Sequence, residues 1–261
     1  MDSPPTESDT QIPLLEYDDA YEAVIEPSRV IQAVDVSEHA VVCFFQDVIG
    51  VLCERYETRC VATSRSELGD HPIYEIPFDG RRLVVFHPGV GAPLAAGLLE
   101  EVIALGCRKF VACGGAGVLD KDVAVGHVVV PLSAVRDEGT SYHYLPSARE
   151  VEATPEVVAA LETVLTENRV EYRVAKTWTT DAFYRETPAK VARRRAEGCL
   201  TVEMEAAAFF AVARFRGVKF GQLLYGGDDV SGAAWDSREW NSRGSVRQRL
   251  FELAAHACLR L

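Results

Sequence analysis

The residues best suited to chemistry are two pairs of carboxylates, one at a glycine turn and one where a strand meets a helix. Asp228 and Asp229 follow an apolar segment and two glycines in YGGDDVSG (225–232). A carboxyl group partly buried at such a point can hold its proton and deliver it to a leaving group. The same pattern also suits a helix cap next to a solvated neighbour. Glu203 and Glu205 flank Met204 in VEMEAAAFF (202–210), where an apolar stretch runs into a helical one. Acidic side chains are favoured at a helix N-terminus by its dipole. The alternative is that such a carboxylate accepts bonds from vicinal sugar hydroxyls while Met204 packs on a ring. A third group, TTDAFYRET (179–187), sets Phe183 and Tyr184 just after Asp181. An aromatic there can stack on a planar base, or be core.

Two more glycine-containing segments follow apolar runs: HPGVGAP (87–93) and CGGAGVL (113–119). Glycine lets backbone approach a ligand and present N–H donors to an anion or a sugar oxygen. Neither is a dinucleotide fingerprint, because the third glycine is missing. Neither is a P-loop, because no Gly-Lys-Ser/Thr follows. The six His show no metal-ligand spacing, and no G-x-S-x-G marks a serine nucleophile.

The elements that must position these groups alternate along the chain. AVVCFF (40–45), RRLVVFHPG (81–89), KFVACGGAG (109–117), HVVVP (127–131), EYRVAKTWTT (171–180) and KFGQLLYGG (219–227) read as strands. The continuous apolar runs among them are those of strands covered on both faces. PLAAGLLEEVIALG (93–106) opens with Pro and closes with Gly, and TPEVVAALETVLTEN (154–168) opens with a Thr cap; both read as helices. The helical pattern recurs over 202–217 and in a C-terminal amphipathic segment, 246–261. Strand–helix alternation with short connections predicts an α/β domain, a mixed, mostly parallel sheet with helices on both faces. Ligands of such sheets sit at the carboxyl ends of the strands, where all of the groups above lie.

Composition bounds the partners. The 261 residues carry a formal net charge of −12, which repels nucleic acid and anionic membranes, and no apolar run spans a bilayer. The N-terminus has no signal-peptide pattern. Seven Cys without a C-x-x-C pair read as reduced thiols, mostly buried, and a cytoplasmic location is expected. Residues 1–12 are polar, with paired prolines, and read as a mobile tail ahead of one domain over 13–261.

In order, GVGAP, the strand into GGAGVL, TTDAFY, VEMEAAA and the Gly-Gly-Asp-Asp turn resemble the purine nucleoside phosphorylase and uridine phosphorylase superfamily, from about Pro27 to the C-terminus. VEMEAAA with the preceding DAFY is the most specific part. The resemblance implies one α/β domain around a mixed, partly barrel-like sheet. It also implies a homo-oligomer built from dimers, often a hexamer, with sites near a subunit interface. The small-molecule partners would be a nucleoside and phosphate. No metal or organic cofactor is implied, inorganic phosphate being a co-substrate. The reaction implied is cleavage of the N-glycosidic bond through an oxocarbenium-like ribosyl group, attacked by phosphate or, in the nucleosidase branch, by water.

Carried over position by position, the resemblance gives Glu205 the ribose hydroxyls, with Met204 and Glu203 beside it. Phe183 would stack on the base, with Gly115 and Thr180 bordering it. Asp228 stands at the acid's place and Asp229 one residue beyond. Arg29 resembles the phosphate-contacting arginine that follows the first strand, with Gly89, Gly91 and Arg136 on the same side. The chain departs from the pattern at Ala112, where phosphorylases carry an arginine, and at Gly115 and Ala116, where they carry a phosphate-binding Ser or Thr. The arginine and histidine that a neighbouring subunit lends have no clear counterpart. A dianion is poorly neutralised by one arginine. Water is thus the alternative nucleophile, and a non-catalytic nucleoside-binding protein is the further alternative.

Overall fold

A computed structural model describes residues 12–261. The tail expected over 1–12 lies outside the described residues except for Ile12, which is exposed.

In chain order the elements are α1 (Pro27–Val30), β1 (His39–Cys43), α2 (Gln46–Arg55), β2 (Arg59–Ser66), β3 (Gly69–Phe78), β4 (Arg81–Phe86) and α3 (Ala92–Leu105). They continue with β5 (Lys109–Val118), β6 (Val128–Asp137), β7 (Glu150–Glu152), α4 (Pro155–Glu167), β8 (Tyr172–Thr180) and α5 (Pro188–Ala196). The chain ends with β9 (Cys199–Glu203), α6 (Ala206–Arg216), β10 (Lys219–Asp229) and α7 (Gly244–Cys258). Among the described residues all ten strands join one sheet, in the order β10-β6-β8-β9-β5-β1-β4-β3-β2, with β7 on β6. A further pairing of β10 with β5 closes β10, β6, β8, β9 and β5 into a barrel, from which β1 to β4 extend as an open wing. The β1–β4, β1–β5, β5–β10, β6–β8 and β8–β9 pairings are parallel and the other five antiparallel, so the sheet is mixed in equal parts.

Alternation of side chains explains the apolar runs. Ala40, Val42, Val84, Phe86 and Phe110 pack on one side, against α3 and α6. Val41, Cys43, Val85, Val111 and Leu223 pack on the other, against α2, α4 and α7. Local signals set several ends. Asp79-Gly80, with φ of 50° and 72°, makes the tight turn between β3 and β4. Gly217 closes α6 in the left-handed region at φ 68°.

Two segments expected to be loops are strand. Residues 113–118 stay within β5, and residues 225–229 within β10. The glycines serve close packing there. A Cβ on Gly114 would stand 3.1 Å from the Phe44 ring, one on Gly115 3.1 Å from the Tyr225 ring, and one on Gly117 3.0 Å from Val202. A strand shared by β1, β9 and β10 has no room for side chains at these points. Five cysteines are buried as expected, Cys53 is half-buried and Cys60 is exposed; all seven are free.

Candidate active site

The functional side chains gather where β8, β9 and β10 end and β4 turns into α3. Register sets Thr179 opposite Glu203. It also sets Val202 opposite Gly117, and Ala116 opposite Gly226.

Glu203 is the N-terminal anchor of α6. One of its oxygens accepts from the backbone N–H of Glu205 at 2.8 Å and of Ala206 at 2.6 Å. The other accepts from the Thr179 hydroxyl at 2.7 Å, and Thr179 Oγ1 in turn accepts from Ala207 N–H at 3.0 Å. These are the orphan donors of a helix start, satisfied by a buried carboxyl two residues before the usual cap position. Both Glu203 oxygens are therefore engaged within the protein.

Glu205 is 5 % exposed and bonds to neighbouring backbone. Its Oε1 accepts from Gly91 N–H at 2.6 Å, across the chain from the glycine loop, and its Oε2 from Met204 N–H at 3.3 Å. Burial, with the charge of Glu203 next, pushes its carboxyl well above the ordinary range. Burial raises Glu203 also, against the bonds from Thr179 and the helix amides. Met204 is half-buried.

The loop facing Glu205 is shaped by two positive-φ glycines, Gly89 at 77° and Gly91 at 90°. A Cβ on Gly89 would run into the Leu94 side chain, whereas one on Gly91 would meet nothing within 4 Å. Gly89 N–H donates to His87 Nδ1 at 3.0 Å, and burial holds that imidazole below its usual pKa. Two loop amides expected to border phosphate are thus occupied by side chains of the chain itself.

The acid end depends on a bulge. Gly226 pairs with Ala116 and Asp229 with Val118, so β10 carries one extra residue there. A bulge re-aims the side chain it contains. It separates the fates of the two aspartates. Asp229 is tied down by Arg238, by the Ser231 N–H at 2.7 Å and by a bridge to Asp236. Asp228 lies over Gly117, 3.6 Å from where a Cβ would be, and accepts from Trp235 Nε1 at 2.7 Å. Glu186, just after Phe183, is pushed up to about 7 by burial and by the charge of Asp228. Phe183 sits 51 % exposed on a short 3-10 turn against Tyr184, with ring centroids 4.1 Å apart. Asp181, two residues earlier, accepts from Gly139 N–H at 2.8 Å, and its charge reaches Glu205. It also lines an open groove of about 750 Å³ with Pro93, Gly139, Thr140 and His143.

Other expected site residues stand elsewhere or are otherwise employed. Arg29 precedes β1 instead of following it; it lies exposed on α1, paired with Glu22 at 2.5 Å. Arg136 is buried, its guanidinium bonded to Ser141 at 2.8 Å, the Pro146 carbonyl at 2.8 Å and the Leu145 carbonyl at 3.1 Å. Thr180 is buried, and its hydroxyl accepts from Ala182 N–H at 3.2 Å to shape the turn before Phe183. Gly115 lies in β5 beneath Tyr225. Thr179, Glu186 and Trp235 are the residues that sequence reading missed. A helix-capping threonine on another strand, and a carboxyl and an indole brought together by chain reversal, leave no local pattern.

The arrangement offers a carboxyl beside a glycine loop at one end, a second carboxyl with an indole partner at the other, and exposed aromatics near the latter. That suits a polyol bonded to a planar leaving group. Comparison with known proteins agrees. The family model described as Phosphorylase superfamily matches residues 38–260. A guanosine phosphorylase of Halorubrum lacusprofundi is 33% identical over 205 residues, 76% of this chain and 81% of the relative. Crystal structures of the uridine phosphorylase of Vibrio fischeri and of a purine nucleoside phosphorylase of Toxoplasma gondii each superpose with a TM-score of 0.75, at 22% and 21% identity. They cover 90% and 87% of this chain, and 98% and 92% of their own. At those identities they show the shared fold.

Proposed function

The chain belongs to the phosphorylase superfamily, and from that premise we propose that it transfers the ribosyl or deoxyribosyl group of a nucleoside from its base to inorganic phosphate. The observation that carries this reading is the placement of Glu205 against Gly91 and of Asp228 on the β10 bulge, at the ends of β9 and β10, the two strands that flank β5 in the barrel. The bond between C1′ and the base nitrogen breaks, its electron pair leaving with the base. Asp228 donates a proton or hydrogen bond to that base. A phosphate oxygen then bonds to C1′, giving free base and pentose 1-phosphate. Glu205 holds the sugar hydroxyls with Met204 beside it, and Phe183 covers the base. Charge developing on sugar and base is what the site must stabilise. The reading needs no metal or organic cofactor, and a purine base is favoured by the presence of an acid at Asp228.

The test is base release from guanosine, inosine and uridine with and without phosphate, with the sugar product identified. Phosphate-dependent release with pentose 1-phosphate is expected. Asp228→Asn is expected to lower kcat by about 100-fold, in the range of lost general-acid catalysis, with a smaller change in KM. An unchanged kcat would remove Asp228 from the mechanism.

One observation favours a second reading, hydrolysis. Arg29 and Arg136 are committed to Glu22 and to the 141–146 turn, which leaves the anion side short of positive charge within one chain. Phosphate-independent release of free ribose would establish it in place of phosphorolysis. A homo-oligomer built from dimers, with a cation lent by the second copy, keeps the first reading. Exposed Val24, Ile25, Val30 and Val90 suit such an interface, and sedimentation would report it.

A further inference from the structure

Glu205 and the glycine loop share one hydrogen bond, and that one donor cannot serve two acceptors. Gly91 N–H lies at the head of α3, at φ 90°, and a Cβ on Gly91 would meet nothing within 4 Å. An amide so placed, where the helix dipole is positive, is a donor for an anion. In the free chain it is taken: Glu205 Oε1 stands 2.6 Å away, closer than an ordinary N–H···O contact. A single N–H makes one strong linear bond. An incoming phosphate oxygen must therefore displace the carboxyl oxygen.

Displacement alone is unfavourable. Glu205 is 5 % exposed, and its remaining bond to Met204 N–H is long, at 3.3 Å. A buried carboxyl left with one weak donor bears an uncompensated desolvation cost. The 2′ and 3′ hydroxyls of a ribose are two donors of the right kind to replace Gly91. Glu205 cannot escape by moving with its helix, because Glu203 and Thr179 fix the start of α6 from β8.

We propose that Gly91 N–H is an exchangeable donor, held by Glu205 in the free protein and released to phosphate when ribose hydroxyls take over the carboxyl. Nucleoside and phosphate then bind with positive coupling through one amide, and the anion subsite is completed only in the presence of the sugar. The coupling scales with hydroxyl count: a 2′-deoxyribose supplies one donor fewer. The proposal rests on the phosphorolytic reading above.

The experiment titrates inorganic phosphate calorimetrically into the full chain, alone and saturated with a C-nucleoside, whose carbon–carbon link to the base is not cleaved. Phosphate Kd is expected to fall at least about fivefold with the ribo-analogue, the lower range of measured couplings, and less with its 2′-deoxy form. Glu205→Ala frees the amide and is expected to bind phosphate more tightly without analogue and to lose the coupling. Glu205→Gln removes the charge but keeps an oxygen acceptor for Gly91, and is expected to bind phosphate weakly without analogue, unlike Glu205→Ala. Equal tightening in both variants would assign the effect to charge repulsion and overturn the exchange. Identical phosphate Kd with and without analogue, in a chain whose base release requires phosphate, would overturn the proposal alone. No phosphate binding in any state, with base release in phosphate-free buffer, would overturn phosphorolysis and this proposal together.

Discussion

Glu186 and Asp228 show how two carboxyls from distant segments of the chain come to share a site with nothing in the sequence marking them as partners of each other. Glu186 is half-buried next to the turn that carries Phe183, and the charge of Asp228 adds to burial in raising its pKa from 4.5 to about 7. A carboxyl whose folded pKa lies above its unfolded value binds its proton more tightly in the folded state. Its contribution therefore favours folding at low pH and is lost as pH rises from about 4.5 to about 7. The melting temperature is expected to fall across that window in the native chain and to fall less in Glu186→Gln, as scanning calorimetry at a series of pH values would report. Parallel curves for the two proteins would mean that Glu186 ionises as it does in water. At the same scale the structure decides between neighbours. Asp229 is held below the ordinary carboxylate range, Ser231 and Arg238 outweighing its burial, so it is spent as an ion-pair partner. Asp228 is left to the indole of Trp235 and to the space over Gly117.

At the scale of elements, the β10 bulge and the β5 glycines form one device. The extra residue between Gly226 and Asp229 turns Asp228 over β5, and Gly117 leaves room for it. Gly117→Ala would set a methyl 3.0 Å from Val202 Cγ1 and 3.6 Å from the Asp228 carboxyl. Overpacking of this kind costs about 1–3 kcal/mol. The variant is expected to lose that much stability in urea unfolding and to lose kcat by about tenfold or more, since a misplacement near 1 Å is costly to a positioned group. Retention of native kcat would show that Asp228 does not depend on this surface. The same device explains why both segments read as loops. Glycine is a turn signal when judged locally. In β5 it answers to Phe44, Tyr225 and Val202, which come from other parts of the chain. By contrast α3 and α4 announce themselves through Pro in their first turns and α3 through Gly at its end, because these signals act locally; the Thr154 hydroxyl, expected to cap α4, accepts instead from Phe220 N–H at 3.0 Å.

At the scale of the molecule, stability and site depend on closing the barrel. Phe220, on β10, is fully buried; its ring lies 5.9 Å from Phe110 of β5 and 4.8 Å from Phe209 of α6, near parallel to both. It fastens the β5–β10 seam to the helix whose first residues anchor Glu205. Phe220→Ala is expected to cost about 3–5 kcal/mol, the usual range for a buried phenylalanine, measured by urea denaturation. A loss under 1 kcal/mol, as an estimate of surface-like behaviour, would show that the seam does not rest on this ring. By itself the amino-acid sequence determined that strands alternate with helices, that the apolar runs are covered on both faces, and that Glu203, Met204 and Glu205 stand where a strand enters a helix. Those features depend on neighbours a few residues apart. Which carboxyl caps α6 and which meets the glycine loop, which aspartate is spent on an arginine, and that Arg29 and Arg136 are committed elsewhere were decided only by the tertiary structure. Glu205 meets Gly91 across 114 positions and Glu203 meets Thr179 across 24, contacts set by the register and closure of the sheet. Arg29, Arg136 and Asp229 find their partners within 10 positions, but in turns whose geometry only the folded chain supplies.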